Sequence, residues 1–221
     1  MILVNPNYFE PITITEDNPE TLIIEKNSLF RELFLELLEQ ANSERGSFIL
    51  TQENQLLSFK QNVQIEVNLL NADYSDKSIK TKLQQMIVSD FQDDQSVTDI
   101  REELYQFCFR ICANYSIPIR FKTELTASDL IKAMDFCIDL SFSSWTESIL
   151  LLMEAQRVLL KTELFIFAGL KDFMDPEEYA SFEKEIKYRK LRLLMIEHRE
   201  HPGADDKKHL TIIDKDLCVL K

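Results

Sequence analysis

The fold of this chain is decided by two short runs, ELFIFA (residues 163–168) and LRLLMI (residues 191–196). Both are almost wholly apolar, which is typical of strands buried on both faces of an α/β sheet. Gly169 ends the first run, and Asp175-Pro176 provides a helix N-cap with proline at the first helical position. A strand, a helix and a second strand in this order predict a parallel pair with a right-handed helical crossover.

The flanking sequence predicts more strands around this pair, so the predicted fold class is α/β, with a twisted mixed sheet and flanking helices. An apolar stripe from Leu29 to Ala41 predicts a helix with Asn27 or Ser28 as its N-cap, and the capping box Ser144-x-x-Glu147 opens another. The further predicted strands are Ile2–Val4, Pro11–Ile14, Thr21–Glu25, Ser47–Leu50, Val63–Val67, Phe136–Leu140 and a closing hairpin of Leu210–Ile213 with Leu217–Leu220.

The pattern becomes purely helical after Tyr74. Apolar residues recur at helical spacing in two segments joined by Gln92–Gln95, and Thr126-x-x-Asp129 predicts a capping box for a short third helix. A helical hairpin inserted between strands is typical of a protruding subdomain. The sequence therefore predicts a discontinuous α/β head, residues 1–73 and 136–221, and an inserted α-helical leg, residues 74–135.

Charge and composition indicate which partners the protein could bind and in which cellular compartment it is expected. The net charge of −13 disfavours nucleic acid binding unless basic residues are segregated, and they are partly so between Lys77 and Lys82. The sequence has neither a long apolar run nor a secretory leader, which predicts a cytoplasmic protein.

Four cysteines in apolar surroundings predict reduced, buried thiols rather than disulfides. Cys108 and Cys112 share a helix face, but no second pair completes a zinc site.

Candidate catalytic groups are few. The only glycines are Gly46, Gly169 and Gly203, which excludes a Walker loop and a dinucleotide fingerprint. His198 and His201 lie beside Glu197 at a strand end and could hold a metal or act in acid–base chemistry, although loop histidines usually do neither. Asp172 and Asp175 flank the turn where ligands of α/β proteins usually bind, but helix capping is the simpler interpretation. No serine or cysteine has a nucleophile context, so the chain is predicted not to be an enzyme.

Several short sequence motifs occur in a characteristic order. They are Glu10-Pro-Ile12, Leu69-Leu-Asn-Ala-Asp73, Leu130-Ile-Lys-Ala-Met134 before Ile138-Asp139, Leu164-Phe-Ile-Phe167, Leu193-Leu-Met-Ile-Glu-His-Arg199 and Ile212-Ile-Asp-Lys-Asp-Leu217. In this order they resemble the Csn-two family, the spacer-acquisition proteins of type II-A CRISPR systems. The resemblance covers nearly the whole chain.

The resemblance implies a specific fold and function. Family members have an α/β head with a P-loop-ATPase-like topology that lacks the phosphate loop, and a helical leg. They form homotetrameric rings, stabilised by calcium, whose basic lumen encircles linear double-stranded DNA loaded from its ends. The resemblance implies a non-catalytic role in capturing new spacers, with the CRISPR integrase complex and the type II effector nuclease as partners. No nucleotide is expected.

Candidate site residues follow from the same resemblance. The calcium ligands that it implies are reduced here to Glu124 and Asp129, because Ile119–Leu125 replaces the acid-rich segment of the family. Each candidate DNA-binding residue has an alternative interpretation as part of a solvated surface. These residues are Lys77, Lys80, Lys82, Lys132, Arg157 and Lys161.

Two other functions remain open. A degenerate nucleotide-binding regulator would bind a nucleotide or phosphate near Asp172. A protein-interaction adaptor would use the acidic surfaces of the chain to bind basic partners and would not bind DNA.

Overall fold

The computed structural model describes residues 1–71, 77–139, 144–201 and 207–220. The chain divides into two compact units, Met1–Asp73 with Ser141–Lys221, and Tyr74–Leu140. The first unit contains all the strands described, which are β1 (Ile2–Asn5), β2 (Phe9–Thr13), β3 (Glu20–Ile24), β4 (Ile49–Gln52), β5 (Gln55–Leu56), β6 (Val63–Glu66), β7 (Leu164–Ala168), β8 (Leu193–Glu197), β9 (Leu210–Ile213) and β10 (Val219–Leu220). We call the two units the α/β unit and the helical unit.

The helices are distributed over both units. Those of the α/β unit are α1 (Asn27–Ser43), α2 (Phe59–Asn62), α6 (Trp145–Ala155) and α7 (Pro176–Tyr188). Those of the helical unit are α3 (Lys77–Phe91), α4 (Gln95–Ala113) and α5 (Ala127–Ala133). A π-helical turn, Gln156–Leu160, continues α6, and a 3-10 turn, Leu170–Phe173, precedes α7. No helix among the described residues is long and apolar enough to cross a membrane.

The main sheet has six strands in the order β10-β9-β3-β8-β7-β6. Neighbouring strands from β9 to β6 are parallel, and β10 is antiparallel to β9. The predicted α/β class with a mixed sheet and flanking helices is therefore confirmed, as are the parallel pairing of β7 with β8 and the closing hairpin. The strands β1, β2, β4 and β5 form a separate antiparallel sheet in the order β2-β1-β4-β5.

The strand β7 contributes to a core on each face of the main sheet. Leu164 and Ile166 pack with α1 and the small antiparallel sheet, whereas Phe165 and Phe167 pack with α6 and α7. All four side chains are at most 1% exposed. Because neighbouring residues of a strand point to opposite faces, a strand between two cores must be apolar at every position.

Two predictions of secondary structure are wrong. Residues 136–139 form no strand, because Asp135 turns the chain with a φ of 54° and the Gln84 side chain of α3 holds the Phe136 carbonyl at 3.2 Å. Neither Asn27 nor Ser28 caps α1. The extended chain reaches Glu25, whose N–H donates to the Ile213 carbonyl, and Lys26 is therefore the N-cap.

The cysteines are free, as predicted, but they are not buried. Cys108 and Cys112 are half-buried, and Cys137 and Cys218 are exposed. Cys108 and Cys112 are not fully buried because they lie on α4, which buries none of its side chains within the described part of the chain.

The capping box that the sequence predicts for α5 is formed. At α6, the serine of the predicted capping box caps the helix. Thr126 Oγ1 accepts the N–H of Asp129 at 3.2 Å, and Asp129 Oδ2 accepts the N–H of Thr126 at 2.9 Å. Ser144 Oγ accepts the N–H of Glu147 at 3.2 Å. At α7 the position of the cap is as predicted, but Asp175 makes no side-chain capping bond.

Candidate nucleic-acid interface

Three of the candidate DNA-binding residues lie in the first half of α3, which has no acidic residue in its first turn. Lys77 and Lys82 are exposed, whereas Lys80 is half-buried and its Nζ lies 2.5 Å from Asp135 Oδ1. The hydrogen bond to Asp135 raises the pKa of Lys80 above its usual value. At 3.6 residues per turn, Lys82 lies about 140° from Lys77 around the helix. These lysines therefore surround the start of α3 rather than form one row.

Lys132 belongs to the same unit. It lies on α5, which packs against α3, and its side chain is exposed. The structure thus brings four of the six candidates, Lys77, Lys80, Lys82 and Lys132, onto two neighbouring helices.

The other two candidates, Arg157 and Lys161, lie in the α/β unit. Arg157 Nη1 donates to the carbonyl oxygens of Arg189 at 2.8 Å and Lys190 at 3.3 Å, at the carboxyl end of α7. A guanidinium at this position satisfies carbonyls that have no partner within the helix. Lys161 is exposed and ends the π-helical turn with a φ of 63°. Arg157 therefore has a structural role that the sequence did not indicate.

Of the two predicted calcium ligands, Asp129 is engaged by neighbouring groups and Glu124 is not buried. Asp129 Oδ2 accepts the N–H and the hydroxyl of Thr126, and Oδ1 lies 2.7 Å from Lys122 Nζ. Lys122 first, and then Thr126, hold the pKa of Asp129 well below its usual value. Glu124 is exposed. Calcium takes six to eight oxygens, and one of these two carboxylates is already engaged on both oxygens.

An exposed apolar surface on α4 is the feature that the sequence analysis missed. A groove of about 920 Å³ runs between α4 and α5, with Glu103 and Arg110 at its edges and Phe107, which is 51% exposed, in its wall. Its other apolar walls are Ile100, Leu104, Leu130, Ala133 and Met134. The helical spacing of these residues was visible in the sequence, but their exposure was not, because spacing does not show whether a partner covers a face. We call this surface the α4 groove.

At the carboxyl edge of the main sheet, the structure brings together residues that the sequence places in separate loops. Asp172 Oδ2 lies 3.6 Å from His198 Nδ1, and Asp172 Oδ1 lies 3.7 Å from His201 Nε2. Asp175 makes no capping bond at α7. No glycine-rich loop follows a strand in the sequence, so this edge lacks the usual means of binding a nucleotide phosphate.

These features define an α/β protein that has a mainly parallel six-stranded sheet but no phosphate loop, and that carries a helical unit with a lysine-rich helix. The chain belongs to the family described as CRISPR-associated protein (Cas_Csn2), whose family model matches residues 40–217. The resemblance found in the sequence is thereby confirmed, and the protein has a CRISPR-associated role.

A solved structure supports the same fold. The crystal structure of Stu0660 of Streptococcus thermophilus is similar to this chain with a TM-score of 0.57 and 14% identity, over 96% of this chain and 74% of that chain. At this identity the likeness concerns the fold alone. No curated protein gives a significant sequence match.

Proposed function

We propose that this protein is a CRISPR adaptation protein that binds linear double-stranded DNA without sequence preference and supports the acquisition of new spacers. The observation that carries the proposal is the lysine-rich start of α3, which has three lysines against one acidic residue in the whole helix. In the proposed role the protein acts without catalysis, alongside the CRISPR integrase complex and the type II effector nuclease.

The position of these lysines favours a phosphate ligand. The N-terminus of a helix carries a partial positive charge, so lysines in the first turn lower helix stability unless an anion lies nearby. Lys77 and Lys80 occupy that turn, and among the described residues Asp135 pairs with Lys80. A DNA phosphate at this end of α3 would be attracted by both the lysines and the helix dipole.

The net charge of −13 is compatible with this proposal. Phosphate contacts without sequence preference require basic residues only where the DNA lies, and acidic surfaces elsewhere repel the duplex. The charge distribution would therefore restrict DNA to the surface formed by α3 and α5.

The α4 groove supports the proposal that the protein assembles with copies of itself, as a homotetrameric ring requires. Glu103 and Arg110 are separated by two turns of α4 and lie on either side of Phe107. If two copies met with their α4 helices antiparallel, Glu103 of each would face Arg110 of the other, and the two Phe107 rings would meet at the centre. An interface of this kind is self-complementary, which is what two-fold symmetry demands.

The proposal is tested by a gel-shift experiment with linear and covalently closed circular duplexes of the same sequence, across a range of salt concentrations. An end-loading ring is expected to bind the linear form only, and less tightly as salt increases. Calcium or a chelator is included in parallel, and loss of binding in the chelator that added calcium restores would show that DNA binding depends on calcium. Failure to bind either duplex at low salt would contradict the proposal and favour the protein-interaction adaptor.

A charge reversal at the lysines is expected to weaken DNA binding. The double variant Lys77→Glu/Lys132→Glu should lower the affinity by at least about tenfold and reduce the salt slope by about one for each lost phosphate contact. Lys184→Glu, at an exposed position on α7, is the control and should bind as the unaltered protein does. Equal losses in both variants would indicate a general charge effect and would contradict a site on α3 and α5.

A further inference from the structure

Two loops meet at the carboxyl edge of the main sheet. The strands β7 and β8 are parallel neighbours, with Phe167 paired to Met195, so both chains leave the sheet on the same side. After β7, Gly169 turns the chain with a φ of 63° into the 3-10 turn that carries Asp172. After β8, the chain continues through residues 198–201. Side chains 29 positions apart in the sequence, at 172 and 201, are thereby brought into contact distance.

The centre of this cluster is a buried carboxylate. Glu197, the last residue of β8, has a side chain that is 0% exposed, and its Oε1 accepts the N–H of Lys171 at 3.1 Å. Its Oε2 lies 3.6 Å from His201 Nε2, and that same nitrogen lies 3.7 Å from Asp172 Oδ1. The side chains of His201 and Asp172 are 13% and 26% exposed. The cluster thus combines a fully buried oxygen donor with a nitrogen donor and a second oxygen donor that solvent can reach.

The separations between these atoms are close to those between the ligands of one metal ion. Hydrogen bonds between nitrogen and oxygen have lengths of about 2.7–3.2 Å, so separations of 3.6 and 3.7 Å are too long. Two ligands placed tetrahedrally around a Zn²⁺ ion, each at about 2.1 Å, lie about 3.4 Å apart. One ligand atom from each of the three residues falls within 4.8 Å of the other two.

We propose that Asp172, Glu197 and His201 form a binding site for a divalent first-row transition metal such as Zn²⁺. An imidazole nitrogen with two carboxylates suits such an ion, whereas calcium and magnesium prefer oxygen ligands alone. Three protein ligands leave the fourth position of a tetrahedral ion for water or another small ligand.

Neighbouring groups hold the ligands in place. Arg199 Nη2 lies 2.6 Å from Asp172 Oδ1, and the backbone N–H of Lys171 fixes Glu197 through Oε1. Ligating carboxylates in proteins are commonly oriented by such hydrogen bonds. The Lys171 ammonium donates to Thr21 Oγ1 at 3.0 Å and lies over the Tyr179 ring, so this cation has partners beyond the cluster.

The test is a calorimetric titration of the metal-free full chain with Zn²⁺. We expect one site per chain, with an affinity that His201→Gln and Asp172→Asn each lower by at least about 100-fold, since changes even in the groups around a metal ligand cost 10–100-fold. Two controls remove other possible zinc ligands, Cys112→Ser on α4 and His209→Gln beside Glu20, and both should bind as the unaltered protein does. Unchanged affinity in His201→Gln and Asp172→Asn, or no binding by the unaltered chain, would overturn the proposal.

A second measurement does not depend on the folding of any variant. The unaltered chain loaded with Co²⁺ should show the absorption of an ion held by nitrogen and oxygen, without thiolate-to-metal charge transfer. A thiolate band would assign the ion to cysteine ligands and would equally overturn the proposed site. Thermal melting in chelator checks that the variants fold, and Zn²⁺ should then raise the midpoint of the unaltered chain but not that of His201→Gln.

Discussion

Replacing Phe167 with alanine is expected to lower the free energy of unfolding of the α/β unit by about 3–5 kcal/mol. Phe167 is 1% exposed and lies in the core between the main sheet and helices α6 and α7. Its ring lies edge-on to Phe165, with centroids 6.5 Å apart. Truncation would leave a cavity on the face of the sheet that α6 and α7 cover, because strands on both sides of β7 prevent the backbone from closing it. Urea unfolding followed by circular dichroism measures the loss.

Tyr188→Ala is the control for this prediction. Tyr188 is 84% exposed at the end of α7, so its truncation should change the free energy of unfolding by no more than about 0.5 kcal/mol. Since whole domains are stable by only about 5–15 kcal/mol, the Phe167 variant should be near its limit of stability. A loss below about 1 kcal/mol would show that Phe167 does not lie in the core between the main sheet and helices α6 and α7.

Placing a charge at Phe107 is expected to abolish self-association. Phe107→Glu would put two carboxylates at the centre of the two-fold contact proposed for the α4 groove, and like charges placed together at an interface cost several kcal/mol. At about 1.4 kcal/mol per tenfold change, the dissociation constant should rise at least about 100-fold. The monomer should still fold, because Phe107 is 51% exposed within the chain. Sedimentation across a range of protein concentrations measures the change.

A charge exchange tests the antiparallel arrangement itself. Arg110→Glu alone should weaken association, and adding Glu103→Arg should restore it, because the double variant recreates both pairs in the opposite sense. Tyr188→Glu introduces the same charge at an exposed position in the α/β unit and should leave association unchanged. If Phe107→Glu associates as the unaltered chain does, the α4 groove is not an interface between copies.

The sequence was sufficient to predict several elements that neighbouring residues determine. The apolar runs at 163–168 and 191–196 predicted β7 and β8 and their parallel pairing, because a strand between two cores must be apolar throughout. The caps at Thr126 and Ser144 were equally clear, since a cap is formed by residues within one helical turn.

Predictions failed where a distant contact decides the outcome. Phe136–Asp139 has the composition of a strand but is held beside α3 by Gln84. Asn27 is a good cap residue, but strand pairing extends to Glu25 and makes Lys26 the cap instead. In both cases a contact with another element outweighs local preference.

By itself, the sequence determined the α/β class, the parallel pair of β7 and β8, and the helical character of the segment after Tyr74. It also showed the resemblance to the family to which the chain belongs. The tertiary structure alone decided which apolar helix face stays exposed, that Arg157 binds the end of α7, and that Asp172, Glu197 and His201 converge. The physical reason is distance along the chain. Periodicity and capping are interactions over a few residues, whereas exposure and convergence depend on elements that only the folded chain brings together.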